Sequence, residues 1–112
     1  MVLTVVNLGN GQLPSSQGAL YTVPAATKAI VTSVILTNTN TSASELVSLW
    51  YLKSGGTARA LISNYTIPVN GSALGCTFVF DTKITMGTGD AIEGVAADAS
   101  KVDYVINGWQ ES

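Results

Sequence analysis

Lys28-Ala29-Ile30-Val31-Thr32-Ser33-Val34-Ile35-Leu36-Thr37-Asn38 decides the fold class. The run is rich in β-branched residues and holds no 3.6-residue period, so it reads as a long β-strand. Leu46-Val47-Ser48-Leu49-Trp50-Tyr51-Leu52 reads the same way. Both runs are apolar on two faces, and in a lone sandwich the outer face would meet water. A protein partner or an N-terminal arm is expected to cover that second face. Working outward, similar runs lie near 2–6, 18–23, 58–67, 74–81, 90–96 and 101–110, with 28–38 and 45–53 between them. Gly, Asn, Ser and Pro separate them, at the spacing of a sandwich or barrel. The predicted fold is all-β: a single jelly-roll-like β-sandwich of about eight antiparallel strands, with little or no helix.

The breaks between strands have their own chemistry. Asn10-Gly11, Gly55-Gly56 and Asn70-Gly71 supply the positive φ angles of tight turns, and Gly87-Thr88-Gly89-Asp90 offers another reversal. Pro24 and Pro68 lack the amide a central ladder needs and mark strand ends. Residues 7–17 read as a loop, which divides the chain into an N-terminal strand and arm, 1–17, and a sandwich domain, 18–112. Val2-Leu3-Thr4-Val5-Val6 can add to a neighbour by β-augmentation or pair within its own sandwich. Val102, Tyr104 and Ile106 alternate with Lys101, Asp103 and Asn107, giving the closing strand one core face and one wet face. Cys76, Phe78 and Phe80 share a face, so the thiol is expected to act as a small hydrophobe.

Composition narrows function. The 112 residues include 46% apolar and 11% charged residues, no His and one Cys, with a net charge of −2. Roughly 25% charged is usual. Catalysis or metal binding through imidazole is excluded, as are zinc sites built on clustered cysteines. Five scattered cations and a pI near 4.7 do not make the basic stripe that nucleic acid requires. No apolar run approaches the length of a membrane span, and the N-terminus lacks the basic region of a signal peptide. Synthesis in the cytoplasm is expected, with no disulfide in the fold.

Seven carboxylates remain as acid–base candidates, and none is paired by sequence. Asp90, Asp98 and Asp103 could converge at one end of a sandwich, although no calcium-loop spacing is present. No catalytic residue, metal ligand or cofactor is therefore assigned. Among the aromatic residues, Trp50 and Tyr104 lie in apolar or alternating strands and suit a core. Tyr65 and Trp109 are better placed to stack on a sugar ring, as in a carbohydrate-binding module.

Leu20-Tyr21-Thr22-Val23-Pro24-Ala25, followed by Ala29-Ile30-Val31-Thr32-Ser33 and Leu36-Thr37-Asn38, resembles small β-sandwich virion proteins of tailed bacteriophages. Gly55-Gly56-Thr57, Ile67-Pro68-Val69-Asn70-Gly71, Gly89-Asp90-Ala91-Ile92-Glu93 and Val102-Asp103-Tyr104-Val105-Ile106-Asn107-Gly108 continue the resemblance, which covers about residues 18–109. Ala26 stands where those proteins usually carry Gly.

The resemblance implies a non-enzymatic structural protein of the virion, nearest to capsid decoration (cement) proteins that bind and stabilise the outer capsid surface. The implied partners are the major capsid protein and further copies of the chain, as homodimer or homotrimer, with neither nucleic acid nor membrane. The alternative is a tail-fibre or adsorption module for host carbohydrate. The expected interface residues are Val2, Leu3, Val5, Val31, Ile35, Val47, Leu49 and Tyr51.

Overall fold

The computed structural model describes residues 3–111. Its strands are β1 (Leu3–Gln12), β2 (Gly18–Thr22), β3 (Lys28–Asn38), β4 (Glu45–Leu52), β5 (Ala58–Ile67), β6 (Thr77–Met86), β7 (Ala91–Ala96) and β8 (Val102–Glu111). They form two four-stranded sheets, ordered β1-β8-β3-β6 and β2-β7-β4-β5. Every pairing is antiparallel. Successive strands cross from one sheet to the other except at the β4–β5 hairpin, which is the jelly-roll arrangement. The described residues contain no helix.

The core lies between the sheets. Val31, Val34 and Leu36 of β3, Leu49 of β4, Ile92 of β7 and Ile106 of β8 are fully buried. Each such side chain contributes about 1.5–3 kcal/mol on leaving water. A one-residue shift between Val31 and Ser33, in the pairing with both β6 and β8, sets this arrangement. Without it the strict alternation of a strand would send Ala29 and Val31 to one face and Val34 and Leu36 to the other. Thr32 takes up the shift, and its hydroxyl donates to the Asn107 carbonyl at 3.2 Å. Opposite the bulge, a Cβ on Gly108 would collide with the Ile30 carbonyl and the Leu8 side chain, so glycine alone fits.

Two strands run past their expected limits. β1 does not stop at Val6: its pairing with β8 continues to Gln12, with one shift between Asn7 and Gly9. The ladder offered by β8 carries residues of weak strand propensity with it. Asn10-Gly11 therefore lies inside a strand and makes no reversal, and the chain turns at 13–17 instead. That turn is anchored by buried Leu13, whose amide donates to the Val102 carbonyl at 2.8 Å. β6 likewise continues beyond Asp81 to Met86, with Asp81 and Lys83 exposed at alternate positions.

The connections gather at two ends. Residues 23–27, 53–57 and 87–90 meet at the end where β1 begins and β8 finishes. Residues 13–17, 39–44, 68–76 and 97–101 meet at the other.

Candidate interaction surface

On the outer face of the β1-β8-β3-β6 sheet, the pairing sets apolar side chains in rows across the strands. Val5 lies beside Trp109, Trp109 beside Ile30, and Ile30 beside Thr85. A second row joins Val105, Ile35 and Val79. Leu3 is 56% exposed, Val5 68%, Val79 53%, and Ile30 and Trp109 37% each. Glu111 beside Lys28 closes one end of the face. Leu3, Lys28, Ala29, Ile30, Thr85, Trp109 and Glu111 line a shallow recess of about 120 Å³ there.

The expected interface divides on these facts. Leu3 and Val5 are exposed and Ile35 is half-buried on the outer face, whereas Val2 lies outside the described residues. Val31, Val47 and Leu49 are corrected to core positions, with at most 1% of their surface exposed. The apolar character of β3 and β4 on both faces hid which face was inner. Tyr51 also points inward and packs against the core. Ile30 and Leu46, one residue before two of these positions, are the side chains left outside. Their signal was the alternation itself, once Val31 and Val47 are placed inside. Val79 and Leu74 were missed as well, and Leu74, in the β5–β6 loop, is 87% exposed.

The aromatic pair does not form one sugar platform. Tyr65, on edge strand β5, packs its ring on Phe78 with centroids 4.3 Å apart and planes tilted by 36°. Trp109 belongs to the other sheet. Cys76 is half-buried, and its Sγ accepts from the Asn70 amide at 3.7 Å.

The buried carboxylates hold loops. Asp90 Oδ1 accepts from the Ser54 amide at 2.9 Å, and Oδ2 accepts from the Gly87 amide at 2.9 Å and the Tyr51 hydroxyl at 2.7 Å. The Ser54 amide leads in holding the carboxyl below its ordinary range; burial opposes it, while Gly87, Tyr51 and the nearby Lys53 charge reinforce it. The same bond to Asp90 raises the Tyr51 hydroxyl, aided by burial and by the Asp90 charge. Burial raises Tyr104. Asp90 and Asp98 stand at opposite ends of β7, about 20 Å of strand apart, so the three aspartates do not converge. Among the described residues no group of three potential metal ligands forms.

No known protein family and no curated protein sequence matches the chain. Solved structures do. A chain in the structure of infectious bursal disease virus, Gx strain, is similar with a TM-score of 0.52 and 11% identity, over 97% of this chain and 32% of that one. This protein thus spans about a third of the chain it matches. A pentameric capsid protein isolated from metagenomic phage sequences is similar over 97% of this chain and 62% of its own, with 14% identity and a TM-score of 0.40. A xylan-binding domain from Paenibacillus barcinonensis covers 96% and 79%, with 12% identity and a TM-score of 0.34. The first likeness shows the fold: an all-β sandwich of the kind found in a virus particle.

Proposed function

We propose that this protein is a non-enzymatic structural component of a phage virion, a decoration protein that binds the outer surface of the major capsid protein and stabilises the shell. The observation that carries the reading is its surface. Leu3, Val5, Ile30, Leu46, Val79 and Trp109 stand 37–68% exposed on strands, in a chain with five cations and seven anions. Apolar side chains exposed on both sheets, Leu46 on β2-β7-β4-β5 and the other five on β1-β8-β3-β6, suit permanent contact with other proteins, further copies of the chain included. The fold shared with a virus-particle chain and the sequence resemblance to small phage virion proteins support the same setting.

Attachment at many identical sites would hold such a protein against dilution with modest affinity at each. Co-sedimentation with purified, undecorated phage capsids tests the reading. Saturable binding that raises the temperature of capsid disruption is expected. Absence of binding, together with selective retention on a glycan array, would replace the capsid by host carbohydrate.

A further inference from the structure

We propose that the outer face of the β1-β8-β3-β6 sheet is the contact of a two-fold homodimer whose axis runs parallel to the strands, between β8 and β3. A two-fold contact must be self-complementary: what one side chain meets on the second copy, it must also offer. Rotation about this axis lays β8 of each copy over β3 of the other and leaves the position along the strands unchanged.

The side chains on the face fit that operation. Glu111, beside Lys28 within the chain, comes over Lys28 of the second copy, so two opposite-charge contacts form at one end. Trp109 comes over Ile30 and Val105 over Ile35, each contact made twice. Asp81 in β6 comes over β1 and meets the amide side chain of Asn7, because both stand level with Asn107 and Ser33. Turning the second copy about an axis across the strands would lay Asp81 over Asp81 and separate Glu111 from Lys28. The two Glu111–Lys28 contacts therefore favour the first arrangement, in which Asp103 comes over Thr37 and Lys83 over β1.

Size agrees. Four strands about 4.8 Å apart, each ten residues long at about 3.3 Å per residue, make a face of about 600 Å². Two such faces bury about 1,200 Å², at the lower limit of stable specific interfaces. Sheets stacked with strands nearly aligned about 10 Å apart are a standard packing. The pairing does not rest on the capsid reading, since the purified chain alone can form it.

Native mass spectrometry and sedimentation equilibrium on the purified protein should show twice the 11.6 kDa chain mass. Ile30→Asp places an unpaired charge in the contact twice over and should weaken the dimer more than about 100-fold. Lys28→Glu and Glu111→Lys should each weaken it about tenfold, and mixing these two variants should restore a dimer, now of one chain of each kind. Because Lys28 and Glu111 also neighbour each other within one chain, only the mixing result isolates the contact between copies. Thermal melts and circular dichroism unchanged from the wild type show that each variant remains folded. A monomeric wild type, or a dimer indifferent to these changes, would overturn the proposal. A folded monomer that binds capsids and loses them on Ile30→Asp would also overturn it and assign the face to the capsid protein.

Discussion

The two ends of the sandwich are tied down by different chemistry. At the end where β1 begins, the short loops converge on one charge: Asp90 accepts from Ser54, Gly87 and Tyr51. The loop 23–27 joins them through the Val23 amide on the Asp90 carbonyl and through Thr27 and Thr88. At the far end the organiser is a neutral amide. Asn38 is fully buried, and its Nδ2 donates to the carbonyls of Ala43, Ile67 and Pro68 while its Oδ1 accepts from the Asn40 amide. Asn40 then donates to Glu45, which also receives the Asp98 amide. Longer loops have more carbonyls to satisfy, and a primary amide can both donate and accept, whereas a carboxylate, Asp90 at one end and Glu45 at the other, takes donors alone.

Removing either organiser should give the largest effects. Asp90→Ala strands three donors and is expected to lower unfolding free energy by about 3 kcal/mol, read from the midpoint of urea denaturation. Asn38→Ala, which leaves mainly carbonyls unpaired, should cost about 2 kcal/mol. Equal losses would show that charge makes no difference between the ends.

Titration separates the ends further. The Asp90 carboxyl is depressed in the folded protein, so the stability it contributes is present above the unfolded value of about 4 and is lost as pH falls through its lower folded value. Thermal melts of the wild type and Asp90→Asn should differ at neutral pH and converge in acid. The gap between wild type and Asn38→Ala should be much less sensitive to pH over the same range. A wild-type to Asp90→Asn difference that persists unchanged in acid would remove the carboxylate from this account.

The smallest effect expected is a gain. Ala26, in the loop at the Asp90 end, has φ of 55°, a conformation that costs a residue with a Cβ about 1 kcal/mol. Ala26→Gly should raise stability by somewhat less than this, because glycine also loosens the unfolded chain. A fall in melting temperature would show that contacts of the Ala26 methyl outweigh the strain.

This position also shows what could be read from sequence. The glycine expected after Pro24-Ala25 from the resemblance is absent, and the left-handed backbone it would have served is retained at Ala26. Each of the eight expected strands exists, because runs of Val, Ile, Thr and Tyr between Gly, Asn and Pro report backbone preference directly. Which side chains face outward was less legible. The bulge at Thr32 reverses the alternation within β3, and the polar pair Thr32-Ser33 was its only trace. Val47, Ser48 and Leu49 are consecutive and all buried, which no period of two predicts. Asp90 stood in a turn motif, but its three donors come from two loops and β4, a convergence that exists only in the folded chain.

The pairing of β1 with β8 has a consequence for how each copy is made. Leu3 lies opposite Glu111, so β1 leaves the ribosome long before β8, the strand it pairs with. Until then β8 is missing from between β1 and β3, and the edge of β3 that it will cover stays open. Long-range closure of this kind slows folding, to milliseconds or seconds in proteins of this class, and leaves nascent chains open to one another on a polysome. Emergence of β8 therefore sets the moment at which this sandwich can close.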